Sequence, residues 1–243
     1  MNARLEREHR GGPQGTSLKA QGVGFNRRQL LAAATAIPTA AALPGARLHA
    51  ASSAAKNAGP IPVAVLIDEE SSLIDFAGPW QVFSSASARK APGFRLYLVS
   101  SDTRPKLVGE GVPVLPQFAL ENAPSPRILV MGAQRGRSER KLDWIRRAHR
   151  RADVTMSVCT GSYLLAATGL LDGRTATTHH KFYDDFQSYY PKVKVVRDVQ
   201  FVDHGDVATT RGLAGSTAFV LKLVERYYGH DAARETADYI EFT

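Results

Sequence analysis

The chain is poor in the groups that build metal centres and cross-links. Among its 243 residues there is one cysteine, Cys159, so no intrachain disulfide forms and a zinc site built on several thiolates is excluded. His179 and His180 are sequence neighbours, which an extended segment would point to opposite faces, and His204 clusters only with Asp203 and Asp206 in an HGD turn. Neither completes a ligand set, so no metal is expected. No glycine-rich phosphate loop, internal repeat or coiled-coil heptad occurs, and no cofactor is expected either. The apolar stretch from Leu30 to Leu43 falls short of the roughly 20 residues that span a bilayer.

That stretch has a different use. Paired Arg27 and Arg28 precede it in FNRRQLLAAATAIPTAAALPGARLHA, the layout of a twin-arginine export signal, with cleavage expected near Ala50 or Ala51. The alternative is a disordered basic tail kept in the cytosol. Export would place a folded protein in the periplasm or outside the cell. The first 50 residues hold seven basic and two acidic residues, so the rest carries 24 and 21 and is only +3. The alkaline character therefore belongs largely to the leader and argues for neither nucleic acid nor, after export, a membrane partner. One basic run remains, Arg135 to Arg151, whose Leu142, Ile145 and Ala148 fall on one helical face. The arginines are expected on the solvated faces.

Residues 1–50 thus read as leader, 51–61 as linker and 62–243 as one compact domain. In the domain, β-prone runs (IPVAVLI, FRLYLVS, RILVMG, VTMSVC) alternate with helical ones, then VKVV, QFV and VATT give shorter strands. Two helices close the chain, the last with Asp231 as its expected N-cap. Such alternation predicts an α/β fold, a mostly parallel sheet with helices on both faces in three layers, as in flavodoxin. Ligands in such sheets bind at the carboxyl ends of the strands. Three of those ends carry chemistry: Asp68 to Glu70 with Asp75 after the first, Gly132 and Ala133 after the third, and Cys159 and Thr160 after the fourth.

Cys159 stops a β-prone run just where a helical pattern begins, in TMSVCTGSYLLAATGLL. A nucleophile at such an elbow is exposed, and helix N–H groups beside it favour thiolate over thiol. The competing role, a small buried hydrophobe, stays open.

Four ordered segments, LIDFAGPWQVF, ILVMGAQRG, SVCTGSYLLAATGLLDGRTATTHH and VATTRGLAG, resemble the DJ-1/PfpI superfamily of glutamine-amidotransferase-like domains. They are most similar to the branch holding isonitrile hydratases and the sensor domains of AraC-type regulators. The resemblance implies that Cys159 is the nucleophile and that Asp75 contacts its sulfur, staying protonated as a hydrogen-bond donor. Helix N-capping is the alternative for Asp75. It further implies an oxyanion hole from the backbone N–H groups of Thr160 and of Gly132 or Ala133. The Thr160 hydroxyl either positions a water or makes a local bond at the helix start. His179 matches a family histidine, as general base or as a polar strand cap, although His180 stands where tryptophan is common. Thr160 replaces the histidine of protease-like relatives, which argues against a peptidase. Trp80, Phe83 and Gln134 are candidates for the mouth or, equally, for core or rim packing.

Two activities follow as expectations: a cofactor-free cysteine enzyme, hydrating a small-molecule isonitrile, or a non-catalytic ligand or redox sensor. The regulator version lacks a DNA-reading part, since the chain stops at Thr243. A homodimer is expected from the resemblance.

Overall fold

A computed structural model of the protein describes residues 59–89 and 92–242. The expected leader, residues 1–50, lies outside them, and so does the linker as far as residue 58. The expected β-prone run IPVAVLI supplies the first strand. Ile61 is 1% exposed and its N–H donates to Gly93 O at 2.9 Å, so it is the first residue of β1 (Ile61–Leu66).

In chain order, β1 is followed by α1 (Leu73–Ser87), β2 (Phe94–Ser100), the short strands β3 (Lys106–Val108), β4 (Val112–Val114) and β5 (Phe118–Ala119), then β6 (Ile128–Met131), α2 (Glu139–His149) and β7 (Val154–Val158). Next come α3 (Gly161–Ala167), β8 (Thr175–Ala176), a 3-10 turn at His180–Phe182, α4 (Tyr183–Tyr189), β9 (Lys194–Val195), β10 (Phe201–Asp203), β11 (Val207–Thr210), α5 (Leu213–Tyr228) and α6 (His230–Tyr239). The main sheet has the order β10-β11-β7-β6-β1-β2-β5 and is parallel except for edge strand β10, which runs antiparallel to β11. The expected flavodoxin-like α/β arrangement is what the chain adopts.

Apolar residues run unbroken along the central strands because both faces are covered. Val63, Val65 and Ile67 point to a core completed by Phe76, Phe83, Phe219 and Val224 from α1 and α5. Ala64 and Leu66 point the other way, to Leu142, Ile145, Leu164 and Phe186 from α2, α3 and α4. The period-two alternation of a strand thus feeds two cores at once. Phe83, a candidate for the mouth, is fully buried in the first core, and Trp80 packs on the same core. The last helix starts at His230, with Gly229 (φ 86°) as its N-cap and Asp231 in its first turn.

The basic run is helical as expected, with Leu142, Ile145 and Ala148 buried, but Lys141 is buried too. Its Nζ lies 2.7 Å from Asp68 Oδ2 and donates to the carbonyls of Arg135 and Gly136, both at 3.1 Å. This pins α2 to the carboxyl end of β1. Replacing Lys141 by Ala leaves the buried Asp68 carboxylate with hydrogen bonds from the Glu69 N–H and the Ser101 hydroxyl but no cation nearer than Lys106, 3.9 Å away, and is expected to destabilise the protein by about 3 kcal/mol in denaturant titrations.

Candidate active site

Cys159 follows the last residue of β7 with φ 58°, left-handed backbone that costs a non-glycine side chain energy. The surroundings over-determine it. Its N–H donates to Thr210 O at 3.0 Å, prolonging the pairing of β7 with β11. Its carbonyl accepts from Thr178 Oγ1 at 3.2 Å, and that hydroxyl accepts in turn from Ser162 Oγ at 2.7 Å. Ser162 and Thr178 are fully buried, so the elbow is held by groups with no competing water. Gly161 then lets α3 turn away. A Cβ there would meet Met131 O at 2.5 Å and Gly132 O at 2.8 Å, carbonyls of the neighbouring strand end that have little room to yield.

Asp75 sits in the first turn of α1, after β1, and is 3% exposed. Ser72, not Asp75, is the helix N-cap. The carboxyl hydrogen-bonds Cys159 and Ser72, and its Oδ2 accepts from the Ala133 N–H at 3.1 Å. A Cβ on Gly132 would lie 2.7 Å from the Asp75 Cβ, so the glycine is what admits this side chain. Of the two backbone donors expected as alternatives beside Thr160 in an oxyanion hole, Gly132 and Ala133, the Ala133 N–H is committed to Asp75.

Thr160 also departs from expectation. Its N–H and its hydroxyl both hydrogen-bond the Cys159 sulfur, and its side chain makes no capping bond at the start of α3. It therefore holds the nucleophile itself.

Both members of the pair are shifted upward. Burial pushes the Asp75 carboxyl above its ordinary range, against the pull of its bonds from Ala133, Cys159 and Ser72. Burial, and next the Asp75 charge, push the Cys159 thiol up to about 11, outweighing the two bonds from Thr160. Helix-end N–H groups alone would lower it, but desolvation of a thiolate beside a carboxylate wins. The Cys159 sulfur therefore rests as a thiol at neutral pH. The Asp75 carboxyl holds its proton more tightly than an ordinary aspartate, the direction expected of it.

Asp75 and the partly buried Cys159 line a cleft of about 590 Å³ with Ile74, His179, Gln200 and Arg211. A second cleft of about 320 Å³ is lined by Gln134 together with Thr160, Tyr163 and Phe182, so Gln134 shares it with the residue that follows the nucleophile. His179 reaches the cleft wall, but no hydrogen bond joins it to Cys159 or Asp75. Its Nδ1 accepts from the Lys181 N–H at 3.3 Å, and burial, then His180 and other cations, hold it below its ordinary range. The His179 and His180 rings stack at 4.4 Å instead of facing opposite ways, because the chain enters the 3-10 turn there. Among the described residues no three His, Cys, Asp or Glu side chains gather as metal ligands.

Sequence reasoning missed Ser162, Thr178, Gln200 and Arg211. Thr178 and Arg211 lie inside quoted segments, yet their roles exist only once β11 and the chain after β8 are beside β7.

The pattern of the DJ-1/PfpI family matches residues 62–226. Isonitrile hydratase of Pseudomonas putida is 31% identical over 66% of this chain and 69% of its own length. The HTH-type transcriptional regulator CdhR of Pseudomonas aeruginosa is 29% identical over 69% of this chain, which spans about half (51%) of that regulator. In structure, Drosophila melanogaster DJ-1beta superposes with a TM-score of 0.65 at 17% identity, over 76% of this chain and 99% of that one.

Proposed function

We infer that this chain, which belongs to the DJ-1/PfpI family, is a cysteine-dependent enzyme that adds Cys159 to a small electrophilic carbon, with an isonitrile as its substrate. The observation that carries this is the hydrogen-bonded Cys159 and Asp75 pair opening on a cleft large enough for a small molecule. The similarity to an isonitrile hydratase supports the choice of substrate.

Asp75 takes the proton from sulfur as the S–C bond forms at the terminal carbon of the isonitrile. It then delivers that proton to the same carbon, giving a thioimidate. Water adds to this carbon, one of its protons passes to nitrogen, and the C–S bond breaks. The second proton returns to sulfur by way of Asp75, and an N-substituted formamide leaves. Thr160 steadies the sulfur through both steps by bonds that strengthen as negative charge grows on it. In this proposal Asp75 supplies the base, and His179 shapes the wall. Incubation with cyclohexyl isocyanide tests it: formamide is expected from the native protein, and its absence overturns the hydratase assignment.

A sensing role for the same thiol is favoured by the similarity to a transcriptional regulator. It predicts a mass gain confined to Cys159 under mild peroxide, with no turnover. Export by the twin-arginine route and pairing as a homodimer belong to the proposal as well, supported by Arg27 and Arg28 and by the family, respectively. Cell fractionation and light scattering check them, and a cytosolic monomer contradicts both.

A further inference from the structure

The Cys159 cleft holds a cation that no step above uses. Arg211 stands between the end of β11 and Gly212, the N-cap of α5, where its main-chain N–H donates to Gln200 O at 3.0 Å. Its partly buried side chain lines the cleft together with Cys159. Of the other partly buried arginines, Arg174 is paired with Asp206 at 2.7 Å, Arg146 with Asp143 at 2.6 Å and Arg127 with Asp153 at 2.6 Å, while Arg89 donates to Ser85 O at 2.8 Å and lies over the Tyr239 ring. Among the described residues, the Arg211 guanidinium has no ion pair and no side-chain hydrogen bond. Asp75, the one carboxylate lining the cleft among the described residues, is committed to Ala133, Ser72 and the thiol. His179, held below its ordinary range first by burial and in part by Arg211, does not offset this charge.

An unpaired guanidinium on the wall of a half-enclosed cleft is incomplete by itself, because its planar fork of donors suits a carboxylate. We propose that Arg211 is a specificity-determining residue and that the substrate is a small electrophile bearing a carboxylate at the end away from the carbon attacked by Cys159. The proposal rests on Cys159 being the nucleophile but does not require that the electrophile be an isonitrile.

The test is a pair of alkylating agents of nearly the same shape, one anionic and one neutral. Iodoacetate and iodoacetamide each react with Cys159 by the same step: the S–C bond forms, the C–I bond breaks, iodide leaves and the thiol proton passes to solvent. The ratio of the two rates, each normalised to a free cysteine thiol, cancels any general change in thiol reactivity. Arg211→Gln is expected to lower that ratio about tenfold or more, the scale of one lost charge-assisted hydrogen bond. Arg211→Lys, which keeps the charge and loses the fork, is expected to fall between. An unchanged ratio in Arg211→Gln overturns the assignment of Arg211, as does equal loss in both variants. Neither result depends on formamide production, so failure of the hydratase assignment shows separately, in the cyclohexyl isocyanide assay.

Discussion

Cys159→Ala is expected to abolish formamide production, by about 10⁴-fold or more, while the protein keeps its fold. The size follows from the mechanism: without sulfur there is no covalent intermediate, and neither Asp75 nor Thr160 has anything to act on. The fold should survive because Cys159 is only partly buried and its strained backbone is held by main-chain and hydroxyl bonds that an alanine preserves. Residual turnover above about a hundredth of the native rate would mean that water attacks directly and that the thiol is a bystander.

Asp75→Asn is expected to act in opposite directions on turnover and on stability. Turnover should fall about 10²- to 10⁴-fold, the usual worth of a positioned proton carrier, since an amide neither takes the thiol proton nor gives it to carbon. Stability should rise. Asp75 is buried, and its carboxyl is held above the ordinary aspartate range, so the native state binds its proton more tightly than the unfolded chain does. In the window between the unfolded and the raised folded value, stability therefore falls as pH rises. Asn removes that loss while still accepting from the Ala133 N–H. Melting temperatures should be higher for the variant at pH 7 and should converge below the ordinary aspartate range. A variant less stable at pH 7 would show that Asp75 is ionised at no cost to the fold. A stabilising change that removes function is the signature of a site kept under strain.

Much of the architecture was legible because it rests on local pattern. The unbroken apolar runs of β1 and β6 can be satisfied only by helices on both faces, and the elbow at Cys159 follows from a strand run meeting a helical one. What escaped depends on distant partners. Lys141 looks like one more solvated cation in a basic run, and only Asp68 at the end of β1 draws it inside. The Ala133 N–H looks free for an oxyanion until α1 brings Asp75 to it. The upward shift of Asp75 is the expected one, whereas that of the Cys159 thiol runs against the pull of the helix amides, and its first cause, burial of the sulfur, is one that no spacing reveals. Arg211 sits in a quoted segment and still carries no signal alone, since its meaning lies in having no partner inside the cleft.

The central claim is that Cys159 rests as a thiol whose proton Asp75 is placed to take. Its most direct test is the rate of Cys159 alkylation by iodoacetamide against pH, in the native protein and in Asp75→Asn. The native curve should rise with a midpoint near 11, and the variant midpoint should fall, because the second-largest upward cause is gone. A native midpoint at or below 8, unmoved by Asp75→Asn, would mean a preformed thiolate with no electrostatic tie to Asp75, and would contradict the account.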